Sequence, residues 1–347
     1  MTRSAPPLPA RPTAARPASG PGLVAGLVLL ALLMAASLAV GSRPTAPGDV
    51  ARALTAFDPA NDVHLIVREL RLPRSLLAVL AGAGLGLAGA VMQAVTRNPL
   101  AEPGLLGVNA GAAMAVVLGA SAFGLTAITQ YVWFGFAGAG LAGAAVFLLG
   151  RAHDSGTDPV RLVLAGAGLS IVLGAAVSLV ILNAALDVLD VFRSWGAGAL
   201  DGRGMAVAGV MGLALITGGG LALALAPALN ALALGRDSGR ALGLRPGRIW
   251  ALACLSVMVL AGAATATAGP IALVGLVAPH LARAVAGPDN RMILPLSAVY
   301  AAALLLGADI LGRIVVAPDE MAAGVVATVI GGPFFIHVVR RVRLARL

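Results

Sequence analysis

Apolar runs fill most of this chain, and its polar residues gather in short gaps between them. A helix rises about 1.5 Å per residue, so about 20 residues cross a 30 Å hydrocarbon core. By that rule the pattern predicts spans near residues 22–41, 75–95, 104–119, 131–150, 161–183, 205–226, 249–267, 270–286, 292–308 and 321–339. Two divisions are forced. Residues 103–150 carry no charge, which is too long for one crossing, and the polar patch at 121–130 splits them. Residues 249–282 are also uncharged, and Gly269-Pro270 is the natural break. Proline lacks an amide donor and favours a helix start there.

The expectation is an all-α polytopic membrane protein with about ten transmembrane helices. An even number of spans puts both termini on one side. The tail with Arg3, Arg11 and Arg16 and the cluster Arg340, Arg341, Arg343 and Arg346 are both basic, so both ends are placed in the cytoplasm. Alternating from there puts 16 arginines inside and 8 outside. An odd count would break that bias. Residues 1–21 read as a disordered cytoplasmic tail, 22–341 as the transmembrane domain and 342–347 as a basic cytoplasmic tail. A signal peptide is the competing reading of the start, but the run at 22–41 exceeds the 7–15 residues of a signal core. Two polar stretches stand out. The external segment 42–74 is long and of mixed charge, with a short helix expected near Asp49. The internal segment 227–249 reads as helix over 228–242, ending in a Gly/Pro turn.

Composition sharpens the class. The chain is 59% hydrophobic and 11% charged, against about 25% charged for soluble domains. A lipid-facing exterior follows. Its 45 glycines suit helices that approach closely. The net charge of +9 is carried by arginine, with no lysine anywhere. That removes the phosphate-gripping residue of a P-loop, so any nucleotide-driven work needs another chain. The arginines punctuate apolar spans instead of clustering on one face, which argues against nucleic acid as a partner. The single Cys254 rules out an internal disulfide.

Candidate chemistry is sparse. Gly84-x-Gly86-x-x-Gly89 matches a dinucleotide fingerprint by letter, but it lies mid-span with no preceding strand and no acidic residue about 20 positions on. Tight packing by Gly82, Gly86 and Gly89 is the better account. The histidines His64, His153, His280 and His337 are scattered and read as satisfied polar residues. No metal-ligand spacing and no nucleophile–base pair is visible, so neither catalysis nor a cofactor is expected. Asp309, near the external end of a span, reads as a capping or local pairing group. Midplane carboxylates, which an ion-coupled carrier needs, are scarce.

Four separated segments carry a resemblance. They are RLPRSLLAVLAGAGLGLAGAVMQAVTRNPLAEPGLLGVNAGA at 71–112, AGPIALVGLVAPHLARAVAGPDNRMILPLSA at 268–298, GADILGR at 307–313 and IGGPFFIHVVRR at 330–341. In this order they resemble the FecCD permease family, the membrane subunits of type II ABC importers for iron–siderophores, haem and vitamin B12. The stretches RNPLAEPGLLGVNAGA and SWGAGALDGRG are similar to catecholate-type siderophore permeases. The resemblance implies the type II ABC importer permease fold, with both ends inside.

It also implies partners and sites. Arg71, Arg74 and Arg313 match arginines that dock acidic residues of an extracytoplasmic substrate-binding protein. Plain anchoring of span ends at the headgroups is the bland alternative. Gly235, Arg236, Arg240, Leu242, Gly243 and Leu244 match the segment that couples to the ATPase. The alternative there is a solvated basic loop, but Leu232, Leu234, Leu242 and Leu244 are ill suited to water. The family's pathway runs between two permease subunits, lined by the fifth and tenth spans. The reading is therefore a multi-pass subunit of the bacterial inner membrane, importing a ferric siderophore. It would work with two ABC ATPase subunits, a second permease (identical or homologous) and a binding protein, in lipid. A secondary active transporter working without an ATPase is the chief alternative, and a membrane receptor or scaffold the second.

Overall fold

The computed structural model describes residues 19–41, 45–150 and 159–341. Most of the tail expected at 1–21, all of 342–347, and Arg43, Arg151 and His153 lie outside them. The described residues are helical, without strands. In order the helices are α1 (Ser19–Ala39), α2 (Pro47–Thr55), α3 (Asp62–Leu65), α4 (Leu72–Thr96), α5 (Val108–Phe123), α6 (Ile128–Leu149), α7 (Pro159–Leu182), α8 (Leu186–Gly196), α9 (Gly204–Ala214), α10 (Gly220–Ala233), α11 (Arg236–Ala241), α12 (Pro246–Ala268), α13 (Val274–Ala286), α14 (Asn290–Val315) and α15 (Ala323–Arg341). Among the described residues, seven continuous helical segments are long and apolar enough to cross a membrane, and α5, α13 and α15 are shorter apolar helices at three further predicted spans. The ten predicted crossings are all present as helices.

The bundle is built around α4. In the most apolar window of its continuous helix, 83% of residues are buried, against 11% in α7. The reason is its glycines. A Cβ at Gly82 would lie 2.7 Å from the Ala301 carbonyl oxygen, one at Gly86 2.2 Å from that of Ser297, and one at Gly89 1.7 Å from that of Gly275. The backbones of α13 and α14 therefore touch α4 directly, which multiplies dispersion contacts where no hydrophobic force drives association. The dinucleotide-like letters are a packing stripe, as expected. At the opposite extreme, α7 presents Leu164, Ile171, Val172, Leu179 and Leu182 outward.

Four local outcomes differ from the pattern. First, a π turn at Ile66–Arg71 joins α3 to α4 into one helix, so the predicted span at 75–95 starts within a helix that begins at Asp62. Hydropathy marks where lipid begins, not where hydrogen bonding begins. The short helix expected near Asp49 is present as α2. Second, the external helix α8 was not anticipated. Third, α13 starts at Val274 and not at Pro270. Gly269 (φ +79°) turns the chain so tightly that a Cβ would sit 2.0 Å from the Trp195 carbonyl oxygen. Leu273, at φ +66°, then caps the new helix. Fourth, the single helix expected over 228–242 is two. Helix α10 continues the preceding span to Ala233, Gly235 at φ +125° breaks it, and α11 follows before Gly243 at φ +78° turns into α12.

A second π turn, Leu215–Gly219, joins α9 to α10, and its Gly218 carbonyl accepts a 2.8 Å bond from the buried Ser256 hydroxyl. Across this turn the packing partners change. Helix α9 lies on α4 and α12, whereas α10 lies on α14 and α12. Near the external end, three backbones meet. The Gly324 N–H at the start of α15 donates to the Gly198 carbonyl beyond α8 at 2.9 Å, and a Cβ at Gly198 would lie 2.8 Å from the Pro270 carbonyl oxygen.

Gly89→Ala is expected to destabilise the folded chain by about 1–3 kcal/mol or more, since backbone and not a flexible side chain opposes the new methyl. Gly209→Ala, which meets nothing within 4 Å, is expected to be neutral or slightly stabilising. Thermal unfolding of both variants in the same detergent checks the contrast.

Candidate functional site: a charge cluster at the external helix ends

Helix α1 ends near Ala39, leaving carbonyls with no helical partner. Two arginines take them. Arg71 Nη1 donates to the Leu38 and Ala39 carbonyls at 2.8 and 3.0 Å and to the Thr45 hydroxyl at 2.9 Å. Arg313 donates to the Ser37 carbonyl at 2.9 Å and to its hydroxyl at 3.0 Å. A positive charge also suits the negative end of the helix dipole. Both arginines are buried.

Asp309 lies one turn before Arg313 on α14 and is fully buried. Arg313 Nη2 is hydrogen-bonded to its Oδ2. From α4, Arg74 Nε donates to both of its oxygens, at 2.9 and 3.2 Å, and Nη2 lies 2.8 Å from Oδ1. The sequence reading of Asp309 as a locally paired group is half the picture, since its second partner is 235 residues away. Arg74 continues outward to Glu320, in the connection between α14 and α15, whose side chain is 33% exposed. A cavity of about 390 Å³ opens above the cluster, lined by Arg71, Arg74, Arg313, Glu320 and Asp201 among others. The three arginines singled out from sequence thus share one site. Glu320 and Asp201 were missed, because nothing in their sequence surroundings ties them to residues so far away in the chain.

On the cytoplasmic side, Gly235, Arg240, Leu242, Gly243 and Leu244 fall on α11 and its flanking turns, and Arg236 opens that helix. Leu234 and Leu242 are 75% and 65% exposed, and Leu244 is half-buried. Leu232, by contrast, is buried in the bundle. Arg240 makes a 3.5 Å exposed pair with Asp237. The end of α10, which leads into α11, is held by the bundle: Arg97, at φ +52°, donates to the Leu232 carbonyl. Asn230 bridges to α14, donating to the Asp289 carboxylate and accepting from the Asn290 N–H at 2.8 Å. The Arg291 N–H and the Asn230 amide hold the Asp289 carboxyl below its ordinary range. That stabilising contribution is present at neutral pH and is lost as pH falls through the lowered value.

A further carboxylate, Glu102, lies in the connection between α4 and α5. It accepts the Leu273 N–H at 2.9 Å and so closes the broken end of α13. Burial pushes its carboxyl up, and the Leu273 hydrogen bond opposes that. Glu102 falls within the stretch RNPLAEPGLLGVNAGA, and nothing in that stretch points to Leu273.

A bundle of apolar helices with a charged external mouth, and with exposed leucines beside a short polar cytoplasmic helix, fits a membrane transport subunit of the permease class. The FecCD transport family matches over residues 29–341, and the chain belongs to that family. It is 44% identical over 322 residues to the ferric enterobactin transport system permease protein FepD of Escherichia coli (strain K12), covering 92% of this chain and 94% of that one. It is 39% identical to the iron(3+)-hydroxamate import system permease protein FhuB of Bacillus subtilis (strain 168), over 92% and 83% of the two chains. A solved inward-facing conformation of a metal-chelate type ABC transporter superposes with a TM-score of 0.80 at 26% identity, over 93% of this chain and all of that one. The ten helices, the family and these likenesses agree on a multi-pass membrane protein.

Removing one member of a buried ion cluster leaves the others uncompensated. Asp309→Asn removes the only carboxylate that the buried Arg313 is shown to pair with, as well as the inner partner of Arg74, and is expected to cost about 3–5 kcal/mol. Arg313→Ala leaves Asp309 paired with Arg74 and is expected to cost less. Unfolding midpoints of the two variants in detergent give the order.

Proposed function

We propose that this chain is the permease subunit of an ABC importer that carries a ferric siderophore, or a related iron chelate, across the bacterial cytoplasmic membrane. The observation that carries this reading is the 44% identity with a ferric enterobactin permease across nearly the full length of both chains. The cargo would pass between two permease subunits. The outward apolar face of α7, which corresponds to the predicted fifth span, supports a second such subunit packed there. Two ATPase subunits would drive the cycle from the cytoplasm, by binding one conformation of the bundle better than the other.

The α11 region, with Gly235, Arg236, Arg240, Leu242, Gly243 and Leu244, is assigned to ATPase coupling. Its exposed leucines support that: Leu234 and Leu242, in the turns that flank the short helix, are apolar side chains turned to the cytosol and ask for a partner surface. The external cluster of Arg71, Arg74 and Arg313 is assigned to docking of a substrate-binding protein with acidic contact residues. Here Arg71 and Arg313 anchor α1, and Arg74 faces the mouth. The buried Asp309 and the partly buried Glu102 are already engaged, the first by arginines and the second by a backbone N–H. That disfavours an ion-coupled carrier.

In cells lacking their own catecholate siderophore permease, the chain with its partner subunits is expected to restore uptake of iron-labelled ferric enterobactin. Uptake that persists when the partner ATPase carries an inactivated P-loop lysine would overturn the reading. Leu242→Asp with Leu244→Asp is expected to lower uptake and transport-coupled ATP hydrolysis at least tenfold while the protein still inserts. Normal ATP hydrolysis and uptake by that variant would remove the coupling assignment.

A further inference from the structure

The external cluster presents a difficulty for an acidic partner. Arg74 and Arg313 are already met by carboxylates, and Arg71 is held on the carbonyls of α1. Asp309 sits between Arg74 and Arg313, Glu320 holds the outer face of Arg74, and Asp201 also lines the cavity. A further carboxylate brought to Arg74 would lie beside two like charges. Like charges crowded at one site repel, so docking gains little unless one of the resident carboxylates leaves.

The geometry says which one. Asp309 cannot leave: it is fully buried, and Arg313 and Arg74 hold it from two helices. Glu320 can. Its contact with Arg74 is through Nη1 alone, its side chain is 33% exposed, and it sits in the connection between α14 and α15 outside either helix. Arg74 is itself only 11% exposed, and it and Glu320, which is bonded to its Nη1, line the same external cavity.

We infer that Glu320 is a resident stand-in for the partner's carboxylate, and that docking proceeds by exchange at Arg74. This rests on the docking assignment made above and adds to it the residue that sets its strength. The exchange keeps the guanidinium paired in both states, so docking never exposes a bare charge and undocking never strands one. Affinity is then the difference between two ion pairs and not the full worth of one. The exchange also reaches beyond the contact. Adjacent Met321 donates its N–H to the Gly312 carbonyl at 2.9 Å, and the Gly324 N–H is bonded to Gly198. A Glu320 that swings out therefore pulls on the entry to α15, the helix that matches the family's tenth span.

The test is docking affinity between the complete permease–ATPase complex in nanodiscs and its cognate substrate-binding protein, titrated by surface capture. Glu320→Gln is expected to tighten docking about tenfold. Arg74→Ala is expected to weaken it about tenfold or more, and Glu320→Gln added to Arg74→Ala is expected to change nothing further. Should Glu320→Gln fold poorly, Glu320→Asp, too short to keep the contact with Arg74, is expected to tighten docking as well. If Arg74→Ala weakens docking while both Glu320 variants leave it unchanged or weaker, exchange is wrong and the docking assignment stands. If Arg74→Ala has no effect on affinity, the docking assignment itself fails.

Discussion

Inside a bilayer, backbone polar groups must find their partners within the protein, because lipid offers none. That constraint shapes this chain at each level. Buried hydroxyls turn back on their own helices: Thr96 to Met92, Ser297 to Ile293 and Thr267 to Ala263, at 2.6–2.7 Å. The open end of α1 is closed by two arginines from other helices, and the broken end of α13 by Glu102. The same constraint explains why Asp309 is tolerated at zero exposure. It is not an isolated charge but the centre of a cluster whose outer members reach water.

Close backbone approach supplies the packing that water would otherwise drive. The glycines of α4 let α13 and α14 come to contact, and these helices carry the residues that complete both faces. Asp309 and Arg313 ride on α14 above, and Asn290 begins α14 below, bonded to the end of α10. The external cluster and the approach to α11 are therefore fixed to one rigid axis. The π turn between α9 and α10 works on the same principle. Continuous α-helix would turn the buried stripe of α9 (Val207, Ala208, Met211) and that of α10 (Ala222, Leu225, Leu229) to one side, at about 100° per residue. The wider turn re-aims the second half from α4 towards α14.

Spans were legible because lipid imposes length and apolarity, and both are properties of a run of residues. The glycine stripe was legible because its period matches a helix face. Orientation followed from arginine counts alone. What escaped reading depends on distant partners. Helix α8 and the helical stretch before Arg71 are amphipathic or charged, so hydropathy passes over them. The end of α10 was misplaced because the predicted span stops before Pro227, whereas the helix carries that proline inside it and runs to Ala233. Arg71, Arg74 and Arg313 were found through their motifs and their unexpected side of the membrane. That two of them would be buried on the carbonyls of α1, with Glu320 covering the third, required the three-dimensional arrangement of four elements.

At Gly198 the end of α8, the break before α13 and the start of α15 are separated by backbone alone. No side chain lies between them to change rotamer and absorb a displacement. The junction therefore behaves as a welded joint and not as a greased bearing. A shift of the external helix moves the entrance of α15 and the α12–α13 corner with it, or else breaks the bond from Gly324. The tightness of the joint rests on Gly198, Gly269 and Gly324, three residues that have no side chain.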